Sequence, residues 1–282
     1  FWNKVMSLKK SIKNISKAES SLQNIRNKID SIDNSIHDLL IERAEIVEQV
    51  AEEKKKYNKT NLVVYRPSRE YEILIRIIQR HKGTLPKKSL ISIWRNLISA
   101  YIGMQAELTL SFGSDLDEIV NSHFGSNIKK EKAITSSVAL KSLNENKVHI
   151  AILPYPNKDN DWWVNSINFD SIFVIGSISE NYIGVPKALI LGKQKIEYAN
   201  KNIVLAVLKI KSEVVKEYSS FLLLNYCNII AEKCIENDKS IIIFSTKVGS
   251  QEEIEDKIKS IENNKFNLQN RAKILGVYAV FE

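Results

Sequence analysis

The fold class the sequence predicts is multidomain: helices first, then a mixed α/β region, then a closing βαββαβ unit. Three observations predict it. Over residues 21–57, isoleucine and leucine recur at helix spacing. Beyond residue 106 the pattern turns to short β-type runs. Over residues 201–282, strand and helix patterns alternate in the split βαβ order, an antiparallel sheet backed by two helices.

Length and composition set the bounds. At roughly 150 residues per domain, 282 residues make about two domains, or three small ones. Apolar residues are 44% and charged residues 26%, the ordinary globular balance, which excludes collagenous, disordered and disulfide-scaffold classes. No apolar run approaches the ~18 residues a membrane span needs. The opening FWNKVMSLKK has neither a long apolar segment nor a cleavage site, so no secretory signal is read. The chain opens with Phe1 rather than Met, so the expectation is that the true start is missing. Two cysteines, Cys227 and Cys234, suggest neither a bridge nor a metal site, and the expected compartment is the cytoplasm.

Residues 1–20 are rich in lysine and serine and read as a basic, frayed helical lead. The helix over 21–57 carries Ile25, Ile29, Ile32, Ile36, Leu39, Ile46 and Val50 at about a 3.5-residue spacing, the seam of a helix that packs along another. Pro67 opens a second helix to about His81, with Glu70, Ile73, Leu74 and Ile77 on one side. Gly83 and Pro86 break it. A third helix spans about Lys87 to Gln105, with Ile91, Trp94, Ile98 and Ile102 on one side. In the α/β part, strands are expected near 108–110, 148–153, 171–175 and 188–191, with helices near 117–123 and 136–144. The closing unit reads as strand 203–210, helix 212–224, strands 227–234 and 240–246, helix 251–263 and strand 272–280. The expected boundaries are a lead at 1–20, a helical domain at 21–106, a short α/β region at 107–200 and the βαββαβ domain at 201–282.

Charge is concentrated at the front. Residues 1–106 carry 20 Lys+Arg against 11 Asp+Glu, hence +9; residues 107–282 carry 21 against 22, hence −1. Seven of the eight arginines fall between 21 and 106. Arg76, Arg80 and Arg95 are read as solvated helix faces. The informative cations lie elsewhere. Continuing the seam of the first helix places Arg43, and after Val50 Lys54, where hydrophobes are expected. They are 11 residues apart, about 16 Å along one face. A buried cation without a counter-charge costs several kcal/mol. Two explanations remain open at this point: a structural ion pair with Glu70, or an anionic ligand. Gln105 ends the apolar side of the third helix and is a neutral donor that could face the same cavity. His37, His81, His123 and His149 share no ligand spacing, and neither a nucleophile–base arrangement nor a glycine-rich phosphate loop can be picked out. Such a site can position and neutralise a dianion, but it carries no covalent equipment.

These residues resemble a known family. Leu22 to Asp33 resembles the opening of the all-helical chorismate mutases; Ile41-Glu42-Arg43, with Lys54 eleven residues on, resembles their second arginine and lysine. Arg66-Pro67-Ser68-Arg69-Glu70 through Leu74, and Ile93-Trp94 through Gln105, are similar to the second and third helices of that family. The resemblance spans about 21–106 and implies a three-helix intertwined dimer that rearranges chorismate to prephenate without metal or cofactor. It implies that Arg43, and Arg26 reaching in from the partner subunit, clamp the two carboxylates. Lys54 and Gln105 would hold the ether oxygen, Glu70 the hydroxyl, and Arg69 the surroundings of the ligand. Arg66 and Tyr101 depart from the family pattern, where an Asp and a small polar residue are frequent.

The remainder resembles a degenerate prephenate dehydratase followed by an ACT domain. Ser122-His123-Phe124-Gly125, Val148 to Asn157, and Lys273 to Tyr278 are similar to pieces of such fusions. Val185-Pro186-Lys187-Ala188 stands where a dehydratase has Thr-Arg-Phe, and Ser111 to Asp115 replaces its glycine-rich opening. Glu232-Lys233-Cys234 replaces the phenylalanine-binding Glu-Ser-Arg. The expectation is therefore a mutase whose dehydratase activity is absent, the alternative being a bifunctional mutase/dehydratase. A basic helical module gripping nucleic acid is the reading from a different class. Against it, Arg43 and Lys54 lie in the apolar seam and aromatic residues are not interleaved with the basic ones.

Overall fold

The computed structural model describes residues 2–57, 65–180, 184–235, 238–262 and 272–280. The chain divides into two units, Phe1–Thr60 and Asn61–Glu282.

The first unit is one helix, α1 (Trp2–Tyr57), of 56 residues. At about 1.5 Å per residue it is about 84 Å long. Its continuity is local in origin: no glycine and no proline occurs before Pro67. The backbone of the basic lead is helical from Trp2 onward. The predicted seam is present as an exposed stripe, with Ile25, Ile29, Ile32, Ile36, Leu39, Ile46 and Val50 between 44% and 63% accessible.

The second unit opens with α2 (Pro67–Arg80) and α3 (Lys87–Gln105). Pro67 sits in the first turn of α2, where its missing N–H costs nothing. Then follow β1 (Thr109–Gly113), α4 (Asp117–Phe124), β2 (Lys129–Ala133), α5 (Ser136–Asn144), β3 (Ile150–Pro154), α6 (Trp162–Ser166), β4 (Phe173–Ile178) and β5 (Ala188–Gly192). The closing part is β6 (Asn202–Lys211), α7 (Val215–Leu224), β7 (Asn228–Ile235), β8 (Lys239–Val248), α8 (Gln251–Glu262) and β9 (Lys273–Ala279). That is the expected βαββαβ order.

The strands form one nine-stranded sheet in the order β2-β1-β3-β5-β4-β9-β6-β8-β7. The closing four, β9-β6-β8-β7, are antiparallel throughout, as the βαββαβ order predicts. The α/β part is mixed: β1 runs parallel to β2 and β3, while β5 runs antiparallel to β3 and β4. The two parts meet at a parallel junction of β4 and β9, at Val174 and Gly276. Gly276 has φ +150°, and a Cβ built on it would lie 2.1 Å from the Val174 carbonyl oxygen. Only glycine lets the backbones approach this closely.

The helices α2 and α3 do not stand apart from the sheet. Tyr65 and Ile102 share a buried cluster with Leu110 and Phe112 of β1, Ile150 and Ile152 of β3, and Phe124 of α4. Pro67 packs on Gly176 of β4, where a Cβ would come within 2.8 Å. Arg66 and Ser68 both reach Glu197, at 2.7 and 2.5 Å. Two elements lie outside the sequence reading. β2 is an edge strand of sequence KKEKA with little apolar content; charge on an edge deters further pairing. α6 is five residues long, held by Trp162 and Trp163, both essentially inaccessible, whose indole N–H groups donate to backbone carbonyls of Pro154 and Asn160. Among the described residues no helix is long and apolar enough to cross a membrane.

The junction yields a prediction. Gly276→Ala forces a side chain into the Val174 backbone, so the unfolding free energy should fall by about 3 kcal/mol. Urea titration followed by tryptophan fluorescence measures it, and an unchanged midpoint would show that β4 and β9 do not meet this way.

Candidate functional site

The positions singled out by the sequence fall on three helices. On α1, Arg43 and Lys54 are half-buried and Arg26 is exposed. On α2, Arg69 and Glu70 are adjacent in sequence but face different ways. Arg69 is exposed and pairs with Glu72 at 3.0 Å, whereas Glu70 is 8% accessible. On α3, Gln105 is half-buried and its side-chain amide donates to the Tyr101 carbonyl at 3.2 Å.

Glu70 lies at the centre of a buried polar cluster. Its Oε1 is 3.1 Å from the Nε of Arg95 and 3.7 Å from the Nε2 of His123. The Tyr65 hydroxyl is 3.3 Å from His123 Nε2 and also hydrogen-bonds the carboxylate. The expectation of a solvated Arg95 is corrected here: its side chain is 7% accessible. The buried face of α3 runs through Ile91, Arg95, Ser99 and Ile102, a spacing of four, four and three residues that carries Arg95 inward. Helical spacing from Ile91 could have revealed this; its charge hid it. Gln105 is ten residues beyond Arg95, about 15 Å of helix rise, so it belongs to the far end of α3.

Burial dominates the electrostatics. It raises the Glu70 carboxyl above its ordinary range, and the Arg95 guanidinium, then the hydrogen bonds from Tyr65 and Arg95, oppose that rise. Burial, with Arg95 adding to it, holds the His123 imidazole well below its usual value, so His123 is neutral. The Tyr65 hydroxyl is pushed well up by burial and then by the Glu70 charge, and it remains a donor. His123 Nδ1 has no hydrogen-bond partner among the described residues. A proton on Nε2 leaves Nδ1 as a bare acceptor, the cheaper group to leave unsatisfied.

Two cavities flank the cluster. One, of about 390 Å³, lies beneath α2, walled by Glu70, Tyr71, Leu74, Tyr155, Ser177 and Tyr278. The other, of about 340 Å³, is lined by Lys88, Asp115, Glu118, Ser122, His123 and Lys187. Arg95 borders both. Val185 and Pro186 border the first and bring no ionisable side chain to it. Among the described residues no cluster of His, Cys, Asp or Glu could hold a metal ion.

The same helices that carry this chemistry match a family model, chorismate mutase type II, over residues 25–106. That segment is similar to the chorismate mutase type II domains. Curated relatives are bifunctional chorismate mutase/prephenate dehydratases. The protein from Aquifex aeolicus (strain VF5) is 34% identical over 95 residues, 32% of this chain and 25% of its own. That from Neisseria gonorrhoeae (strain ATCC 700825 / FA 1090) is 35% identical over 104 residues, 36% of this chain and 27% of its own. The chain thus spans about a quarter of the length of these relatives. Among solved structures, the prephenate dehydratase from Streptococcus mutans aligns at 13% identity and a TM-score of 0.45 over 62% of this chain and 98% of that one. The quorum-quenching acylase GqqA aligns at 11% identity and a TM-score of 0.48 over 62% of this chain and 97% of that one.

Two outcomes are expected of the cluster. Arg95→Ala leaves a buried carboxylate without its cation and should cost about 3–5 kcal/mol by urea titration; a cost below 1 kcal/mol would mean that Glu70 is not held by this pair. The second concerns pH. The folded-state value of His123 lies below its unfolded value, so the unfolded chain binds the proton first and stability falls as pH drops through about 6.5. Glu70, shifted upward, works in the opposite direction at more acid pH. Melting temperatures between pH 7.5 and 5.5 should decline more steeply for the wild type than for His123→Gln. Parallel curves would show that His123 is not kept neutral.

Proposed function

We propose that the protein is a chorismate mutase acting as a homodimer. The observation that carries this is the family match over 25–106 together with Arg43 and Lys54 falling in the apolar seam of α1. In this reading the substrate's two carboxylates are met by Arg43 and by Arg26 of the second copy. Lys54 and Gln105 donate to the ether oxygen as charge develops on it. Glu70 accepts from the ring hydroxyl, and Arg69 completes the anionic surroundings. Proton transfer and covalent intermediates are not needed. The rearrangement is a single cyclic shift, so positioning in a compact conformation and electrostatic stabilisation of the ether oxygen carry the rate.

The dimer is supported by the exposed stripe on α1. Seven apolar residues at coiled-coil spacing are too many for a soluble chain to leave in water, at roughly 1.5–3 kcal/mol each when fully buried. Sedimentation should give twice the chain mass at micromolar concentration, and Ile29→Lys with Ile36→Lys should shift it to the monomer.

We further propose that dehydratase activity is absent and that the reaction runs in the cytoplasm. Val185-Pro186-Lys187 in place of Thr-Arg-Phe, and the short α/β segment, support the first; the free thiols Cys227 and Cys234 support the second. The alternative is a bifunctional mutase/dehydratase, which is how the curated relatives are named. One assay separates these. Incubated with chorismate, the protein should consume it and accumulate prephenate, with no phenylpyruvate. Arg43→Ala should lower turnover by about 10²–10³-fold. Unchanged turnover in that variant overturns the assignment, and phenylpyruvate in the product overturns the monofunctional reading.

A further inference from the structure

His123 belongs to α4 and lies 17 residues beyond the end of the family-matched segment. It nevertheless faces the carboxylate of Glu70 at 3.7 Å, with the Tyr65 hydroxyl at 3.3 Å on the same nitrogen. Its placement is firmly built. The Ser99 hydroxyl of α3 donates to the Phe124 carbonyl, tying the end of α4 to α3. Gly125, with φ +60°, closes α4, and a Cβ there would come 2.7 Å from the Asn96 side chain of α3. The rings of Tyr65 and His123 both pack on Phe124, with centroids 5.5 and 4.6 Å apart. So three elements — α2, α3 and α4 — converge on one carboxylate, and the third comes from the α/β region.

We infer that His123 and Arg95 are positioning residues for Glu70, so that the α/β region is a working part of the mutase site rather than an appendage. This rests on the proposed contact between Glu70 and the substrate. A carboxylate that must accept a hydrogen bond from the substrate hydroxyl needs a fixed rotamer and must stay ionised in a buried setting. Arg95 supplies the counter-charge along one side. The neutral imidazole of His123 packs 3.7 Å from Oε1, with the Tyr65 hydroxyl beside it, and so confines the carboxylate without adding a second cation. In this arrangement the carboxylate is held by groups from three elements while it meets the substrate hydroxyl. A site of this kind loses rate when a supporting group is removed, even where no substrate is touched.

The test is a double-mutant cycle on the full chain, with chorismate as substrate. His123→Ala should lower kcat/KM about tenfold and His123→Gln, which keeps a donor at the Nε2 position, should recover most of it. In a Glu70→Gln background, His123→Ala should have no further effect, because its action passes through Glu70. Melting temperatures and sedimentation confirm that each variant is folded and assembled at the assay temperature, and Tyr65→Phe provides a milder removal of the same support. Equal, additive losses in both backgrounds, or no loss in His123→Ala, overturn the inference while leaving the mutase reading standing. Absence of turnover in the wild type overturns both.

Discussion

A buried ion pair, Glu70 with Arg95, is the constraint on which the second unit depends. Two charges inside a protein are tolerable only when each neutralises the other and the remaining hydrogen-bonding capacity is filled. Here the Tyr65 hydroxyl bonds the carboxylate and His123 packs beside it, and the two come from different parts of the chain. The pair therefore dictates the mutual arrangement of α2, α3 and α4. Within this unit α2 and α3 are welded to the sheet, sharing its core at Tyr65 and Ile102.

The second organising feature is the amphipathic length of α1. An 84 Å helix (about 1.5 Å per residue) with an apolar stripe and no breakers has little reason to bend back on itself. Arg43 and Lys54 interrupt the apolar spacing of the stripe, and both are half-buried. In the proposed reading, an anionic ligand meets these two cations. The proposed chemistry asks for nothing else: opposite charge, rigid placement and a donor near the departing oxygen.

Much of the architecture was legible beforehand, and the misses have physical reasons. Long, strongly periodic segments such as α1, α7 and β6 announced themselves. β2 did not, because KKEKA has the composition of a solvated turn and becomes a strand only by pairing with β1. α6 did not, because five residues carry no periodicity; two buried tryptophans hold it instead. Arg95 was assigned to a wet face because an arginine is usually found there, and only its helical phase to Ile91 and Ser99 argued otherwise. The cluster around Glu70 draws on residues 58 positions apart, Tyr65 and His123, a convergence that local pattern cannot express. The junction at Gly276 was visible only as a glycine in an otherwise ordinary strand.

The central claim is that the seam cations of α1 are matched to a dicarboxylate. Calorimetric titration of the protein with prephenate tests it directly, since a dianionic product engages the same cations without turnover. The account predicts saturable binding by the wild type, weakened about a hundredfold in Arg43→Ala, a loss of about 2.7 kcal/mol. Equal affinity in the two proteins, or no binding by the wild type at millimolar ligand, would contradict it.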